Sequence, residues 1–483
     1  MVAFSFPQAV RLVLETLEQR GFQAVLVGGC VRDFLRGVQP EDYDVATDAL
    51  PEDVAALAQK RGWKTIEQLG NLYGVVVVVV AGQAIEVATF RQEAYGVDAH
   101  RPEKVWYTKD LTLDLERRDF TVNAMAMNSR GEVLDPFDGK KDLAAKCLQT
   151  VGAPEKRFGE DALRLFRACR FASQLDFSLA APTKAAMQSQ VEKVRGISLE
   201  RVRVELNKLL LGNNPAKGMR LLVHSGLAAS VCRQKRNGVY EPVAVLPELA
   251  ALDQIPQNKK YHAYDVLEHT LHALAETPPE LAVRWGILLH DIAKGTPGVR
   301  GMREDGNPTD YGHAEAGEEM AAVILQRLGM PPDFCRRVVW MVGEHMNLGI
   351  SFCAESDVRL RWLRKTARSR LFRDRKDLND GVRQLVAVCA ADRRGMGTAL
   401  LPCYEDGADD VLRMAATMPV HTRDLALDGK AVLPLVGPQK VRYVLNRLLV
   451  RVQDGTLENE YNALMTAALA WSHRHREDGE KTC

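Results

Sequence analysis

No run of apolar residues in this chain reaches the length of a membrane-crossing helix. The opening segment, Met1 to Val10, has no basic flank and is interrupted by Pro7, so it does not read as a secretory leader. CxxC pairs are missing too. The nine cysteines are scattered, which predicts reduced thiols and a cytoplasmic setting. Nor is there an excess of charge: 64 Lys and Arg stand against 63 Asp and Glu, for a net charge of +1. A nucleic-acid partner would therefore need a local basic face. Repeats and low-complexity tracts are absent apart from one run of valines. What is there is a chain of 483 residues, enough for about two to four domains with sizeable cores.

The most informative stretch is Val27 to Asp48, VGGCVRDFLRGVQPEDYDVATD. Val25-Leu26-Val27 predicts a short strand. Gly28-Gly29 breaks it and, lacking Cβ atoms, lets the backbone approach a ligand closely. Cys30 to Gly37 predicts a short helix, with Arg32-Asp33 inside it, whose first amides would face a phosphate. Asp42 and Asp44 lie two positions apart in a β-prone setting, so both carboxylates point to one face. Such a face suits two divalent cations, which would activate a 3′-hydroxyl and support a leaving pyrophosphate. A DxD pair by itself is usually a turn with solvated aspartates. Gly-Gly, Arg-Asp and DxD in this order is much more specific and points to phosphoryl transfer.

Val75 to Val80 is too β-branched for a helix and predicts a buried strand. Ala84 to Phe90, AIEVATF, predicts a second one. Glu86 sits there between apolar neighbours; a buried Glu needs a partner or a metal, which makes it the candidate third carboxylate, against a plain edge-strand surface Glu. Arg91 to Thr108 has no clear period and fits a mobile lid. Arg117-Arg118 offers two planar forks for phosphate oxygens, and Asn123 a partner for a sugar hydroxyl; a salt-bridged helix start capped by Asp119 is the ordinary alternative. Arg157 to Phe177 predicts one amphipathic helix, with Leu163, Phe166, Cys169 and Ala172 or Ser173 on its apolar stripe and Arg167 off it. On that helix Asp161 and Arg164, one turn apart, would sit head to head and face a base edge, unless they form a plain surface salt bridge.

Further on, YHAYDVLEHTLHAL carries His269, and WGILLHDIAKG brings His290-Asp291 at the end of an apolar helix. Gly312-His313, Glu344-His345 and Ala391-Asp392 follow. Imidazole and carboxylate together suit a divalent transition metal, whereas single histidines such as His224, His262 and His272 are structural by default. Arg359 to Lys376 holds nine Lys or Arg in eighteen positions, either an RNA-facing surface or a solvated helix face.

The first 225 or so residues resemble the class II nucleotidyltransferases, meaning tRNA CCA-adding enzymes and bacterial poly(A) polymerases. LVGGCVRDFLRG with EDYDVATD is similar to the catalytic motif of that family, RRDFTVNAMAMN to its ribose-recognition motif, GEDALRLFRACRFA to its nucleotide-selecting motif, and SLERVRVELNKLL to the motif behind it. The resemblance implies that Asp42 and Asp44 are catalytic and hold Mg2+, with Glu86 the candidate third catalytic carboxylate. It implies that Gly28, Gly29, Arg32, Arg118, Asp119 and Asn123 hold triphosphate and ribose, and that Asp161 and Arg164, with Arg167 and Arg170, select CTP or ATP. EVATFR, a loop with Arg101-Pro102, and RRDFTVNAMA look closer to the CCA-adding branch, although GVDAHRPEKV departs from the usual DGRRP form. The second region resembles an HD-type metal-dependent phosphohydrolase. That implies a first metal on His269, His290, Asp291 and Asp392, with His313 and His345 extending the site, and Mn, Ni, Zn or Fe as the ion. Leu427 to Leu464 resembles the C-terminal region of bacterial CCA-adding enzymes that carry an HD domain.

The expected fold is α+β: a nucleotidyltransferase head with a mixed sheet and helices at 1–145, then an all-α neck at 146–255, an HD domain at 256–356 that borrows Asp392, and a tail at 357–483. Pro242 to Asn258, with three prolines, is the expected linker. The expected activity is addition or repair of the 3′-terminal CCA of tRNA from CTP and ATP, with a phosphohydrolase activity beside it. An A-adding or CC-adding partial enzyme and a poly(A) polymerase share the motifs. An HD phosphohydrolase with a silent head and a silent tRNA-binding module are disfavoured by the complete motif set.

Overall fold

The computed structural model describes residues 6–66, 74–96, 102–397 and 401–480. The chain divides into two compact units, Met1–Ala250 and Ala251–Cys483.

The strands at the start of the first unit are β1 Ala24–Val27, β2 Asp44–Thr47, β3 Lys64–Ile66, β4 Val75–Val80, β5 Gln83–Thr89, β6 Arg91–Tyr95, β7 Pro102–Tyr107, β8 Ala126–Met127 and β9 Val133–Leu134. Seven of them form one sheet in the order β3-β4-β5-β2-β1-β8-β9. Only β2 and β5 run parallel in it. The valine run forms β4 as expected, but it is half-buried: Val78 and Val80 alone are fully enclosed, because one neighbour is the exposed edge strand β3. One sheet face packs on the helix Gln8–Glu18, whose Val10, Val13, Leu14 and Leu17 join Leu26, Val45 and Val87 in one core. The expected lid holds regular structure in its described parts. There β6 and β7 pair as an antiparallel hairpin, tied down by ion pairs of Glu93 with Arg91 and Arg117. Arg101 lies outside the described residues.

Later in the first unit, the helices Leu163–Leu175, Leu199–Leu210 and Pro215–His224 pack together. Their approach is close: a Cβ on Gly218 would stand 2.8 Å from the Cys169 carbonyl, and Ser173 donates to Leu209 O at 2.6 Å. The helix Leu163–Leu175 is buried on nearly every side, Arg164 and Arg170 included; the surrounding helices override the amphipathic reading. The expected linker, Pro242 to Asn258, contains the division between the two units at Ala250, but its first part is in regular structure. Val231–Arg236 and Val239–Ala244 form a hairpin, followed by the helix Pro247–Ala250.

Among its described residues the second unit has no regular structure besides helices and a small hairpin, Arg300–Met302 with Pro308–Asp310. The apolar helix Leu281–Leu289 is buried from Val283 to Leu289 and ends at His290. It packs against Pro332–Ser351 and Arg375–Gly395, and the latter also touches Val266–Ala275. The last helices, Gly429–Val436, Val441–Gln453 and Tyr461–Glu480, share a core around Leu427, Val432, Leu448 and Leu464. Cys353 and Cys403, fifty positions apart, form a disulfide, which corrects the expectation that every thiol is reduced: folding brings together two cysteines that no spacing pattern links. Among the described residues no helix is long and apolar enough to cross a membrane.

Candidate active site and metal centre

Asp44 opens β2, paired with Val27 at the end of β1 on one side and with Glu86 of β5 on the other. Asp42 and Asp44 are both exposed, with buried Tyr43 between them, so the strand alternation puts both carboxylates outward. Glu86 corrects the expectation of burial, since it is exposed. Its flanking Ile85 and Val87 fill the core, and period-2 geometry turns Glu86 to the opposite face, beside Asp44. The carboxyl of Asp44 is pushed up by partial desolvation and by the like charges of Glu86 and Asp42, which together outweigh Arg118. Three clustered oxygen donors repelling one another are the chemistry of a hard divalent cation site.

Gly28 links β1 to the helix Gly29–Leu35 with φ +76°. A Cβ there would stand 3.0 Å from Arg118 Nη1 and 3.8 Å from Asp44 Oδ2. The absent side chain lets the Arg118 guanidinium reach the carboxylate edge. The two arginines differ. Arg117 is bound to Asp114 at 2.8 Å and to Glu93 at 3.1 Å. Arg118 reaches Asp114 only at 3.5 Å, and its buried Nε has no protein partner. Arg118 therefore keeps the donors for an anion, and Arg117 is a strut that Asp114, unremarked in the sequence, holds in place.

Arg32 donates to Asn123 Oδ1 at 2.6 Å and to both oxygens of Asp33. Asn123 donates to Asp119 Oδ1 at 3.1 Å, and Asp119 Oδ2 accepts from Arg167 Nε at 2.7 Å. Burial would raise the Asp119 carboxyl, but Arg167 and Asn123 hold it well below the usual range. Arg170 pairs with Glu205 at 3.0 Å, and burial and Arg167 push its guanidinium down to about 10. Phe171, a residue the sequence did not single out, has Arg170, Arg167 and Arg32 at 4.2, 5.4 and 5.6 Å from its ring. Its position four after Arg167 was the available signal.

The expected Asp161–Arg164 pair on one helix is not formed. One helix ends at Glu160 and the next begins at Leu163, with Asp161 extended between them (φ −142°, ψ 104°). Asp161 Oδ1 accepts from the Leu163 amide at 3.1 Å, and Oδ2 from Arg201 at 3.2 Å. An Asp that captures a nearby amide competes with the helix and breaks it. Arg164 instead binds Glu160 Oε2 and the Arg157 and Arg117 carbonyls at 2.7 to 2.8 Å.

In the second unit the six expected ligands converge. Two groups form, His269, His290 and Asp392, and Asp291, His313 and His345. Asp291 reaches across them: Oδ2 is 3.4 Å from His269 and 3.2 Å from His290, and Oδ1 is 3.3 Å from His313. Asp392 lies 3.1 Å from His269. His290, His313 and His345 each place Nδ1 2.6 to 2.8 Å from a main-chain carbonyl, those of Ile287, Asp310 and Val342. A proton on Nδ1 leaves Nε2 as a lone-pair donor. The Nε2 atoms of His313 and His345 are buried with no hydrogen-bond partner. This donor set fits a divalent metal. Lys294, one turn beyond Asp291 and unremarked in the sequence, binds it at 2.6 Å. His262, taken as structural, sets its ring against that of His269 at 5.0 Å. A cavity of about 490 Å3 opens here, lined by Asp291, Asp392, Lys294, Arg303 and Tyr311 among others.

Much of the basic segment is internally spent: Arg359 pairs with Asp410, Arg368 with Asp454 and Arg373 with Asp377. Arg361, Lys365, Arg370, Arg375 and Lys376 stay exposed.

Residues 24–149 match the poly A polymerase head domain, 176–234 a probable RNA- and SrmB-binding site of polymerase A, and 261–393 the HD domain. A CCA-adding enzyme of Geobacillus thermodenitrificans is 32% identical over 487 residues, covering 99% of each chain. One of Levilactobacillus brevis is 44% identical over 220 residues, 46% of this chain and 54% of that protein, so this match spans about half of that relative. The crystal structure of the Bacillus stearothermophilus CCA-adding enzyme in complex with CTP is similar at TM-score 0.65 and 27% identity, over 99% of each chain. Similarity over the whole length, joined to a carboxylate edge faced by an open guanidinium, places this chain in the CCA-adding enzyme family of nucleotidyltransferases.

Proposed function

We propose that the first unit adds the 3′-terminal CCA to tRNA from CTP and ATP by two-metal phosphoryl transfer. The observation that carries this reading is the cluster of Asp42, Asp44 and Glu86, with the Arg118 guanidinium brought to the Asp44 end where Gly28 leaves room. These carboxylates would hold Mg2+, which when bound would supply activation of the RNA 3′-hydroxyl and neutralisation of the leaving pyrophosphate. Arg118 binds triphosphate oxygens in bidentate fashion. Arg32, Asn123, Asp119 and Arg167 form one hydrogen-bonded row that orients the ribose, because each member is fixed by the next. Asp161 accepts from the exocyclic amine that cytosine and adenine share, and Arg164, with Arg170 behind it, fixes the wall of the base pocket. In the second unit His269, His290, Asp291, His313, His345 and Asp392 would hold a transition metal, Mn, Ni, Zn or Fe, that supplies an activated water for phosphoester hydrolysis. Lys294 and Arg303 bind the phosphate of that substrate.

The test is incubation of the purified protein with tRNA lacking its terminus and CTP alone, ATP alone, or both. CTP alone is expected to add two residues, and both nucleotides to complete the triplet. Addition of A only to tRNA already ending in CC, of C only, or of a long A tract overturns the full CCA reading in favour of a partial enzyme or a poly(A) polymerase.

A further inference from the structure

The hairpin formed by Val231–Arg236 and Val239–Ala244 has no part in the chemistry above. Its sequence, RQKRNGVY, turns at Asn237 and Gly238, both with positive φ (50° and 86°), the pattern of a tight two-residue β-turn. Lys235 faces Tyr240 and Arg233 faces Pro242 across the ladder, so these side chains share one face. The Arg233 guanidinium lies 4.3 Å and the Lys235 ammonium 5.9 Å from the centre of the Tyr240 ring. Yet that ring is 53% exposed and the neighbouring Val239 64%, an aromatic presented to solvent amid cations. At the base, Cys232 is buried, the Arg233 amide donates to Ile197 O at 2.9 Å, and Arg233 bridges to Ser198. Ser198 stands immediately before the helix Leu199–Leu210, and within its first turn Arg201 pairs with Asp161. The hairpin therefore stands at the edge of the nucleotide site.

We propose that this hairpin is a contact for the 3′ strand of the RNA substrate, with a base stacked on Tyr240 and a neighbouring phosphate met by Lys235, which shares its face. This rests on the reading of the first unit as an RNA nucleotidyltransferase. The chemistry singles out a polyanion with exposed π-faces: stacking on an aromatic is tolerant of base identity, and the flanking cations follow the backbone. An acidic protein would use the charges but gain little from an open ring. Arg233 is a positioning residue, holding the ring from one side.

The experiment measures binding of labelled tRNA lacking its terminus to the full chain, at several salt concentrations, with the KM for tRNA and kcat for CTP addition beside it. Tyr240→Ala is expected to weaken binding and raise the KM for tRNA about tenfold, with kcat unchanged. Tyr240→Phe should restore wild-type binding. Lys235→Gln should lower the slope of log K against log salt by about one, for the phosphate no longer neutralised. Binding by Tyr240→Ala equal to wild type overturns the stacking surface, and an unchanged salt slope in Lys235→Gln overturns the phosphate pairing, in each case with the nucleotidyltransferase reading intact. A wild-type protein that extends no tRNA and binds it without salt dependence overturns both.

Discussion

At the scale of single residues, the head depends on two kinds of position: carboxylates that gather charge and a glycine that leaves room for the opposite charge. Asp42→Ala or Asp44→Ala removes an exposed side chain that supports no core, so the fold should survive. Loss of a catalytic ligand costs several kcal/mol of barrier, so addition should fall by more than about a hundredfold. A rate above that limit in both variants, measured under single-turnover conditions, would sink the two-metal assignment. Gly28→Ala acts from the other side. At φ +76° and 3.0 Å from Arg118 Nη1, an added methyl strains the backbone by about 1–3 kcal/mol and pushes the guanidinium from the carboxylate edge. A lowered melting temperature and a raised KM for CTP are expected together; a KM unchanged in a folded variant would show that Arg118 binds no phosphate.

At the scale of elements, the proposed base choice is made at the junction before the helix Leu163–Leu175. Periodicity from Arg157 to Phe177 reads as one helix, and the break at Asp161 was not legible because it arises from side-chain capture of the Leu163 amide and the pull of Arg201. The break frees Asp161 from the helix face and brings Arg164 to Glu160. CTP and ATP carry an amine where UTP and GTP carry a carbonyl, and a site built on that hydrogen bond rejects the wrong partner because a buried polar group is left unpaired. Asp161→Ala should therefore lose rate and also selectivity against UTP and GTP. Arg164→Ala should lower use of CTP and ATP alike. Incorporation of each of the four nucleotides by each variant decides it; wild-type selectivity and rate in Asp161→Ala would leave Asp161 only a partner of Arg201. Glu86 teaches a related lesson. Its apolar neighbours, taken as a sign of burial, are the reason it faces outward, and the parallel pairing of β5 with β2 then sets it beside Asp44.

At the scale of the whole molecule, each unit contains its own expected ligand set: the carboxylates and arginines lie before Ala250, and the histidines and their aspartates after it. His290→Ala or Asp291→Ala should therefore abolish bound transition metal, read by elemental analysis, and with it any phosphatase activity, while CCA addition stays within about twofold. Equal loss of both activities in a variant that keeps its circular dichroism spectrum would show that the two sites are not independent.

Taken alone, the sequence determined what is local or carried by residue type: the turn at Gly28, the outward alternation of Asp42 and Asp44, the strand of valines, the helix ending at His290, and the chemical character of both donor sets. These follow from backbone freedom, period and side-chain chemistry over a few positions. Tertiary structure alone decided which arginine of the Arg117-Arg118 pair stays open, since Asp114 and Glu93 bind the first. It decided that Cys353 meets Cys403. It also decided how the six expected ligands, spread from His269 to Asp392, fall into two groups bridged by Asp291. Each is a meeting of positions far apart in the chain, fixed by how helices and strands pack, and no spacing along the sequence encodes it.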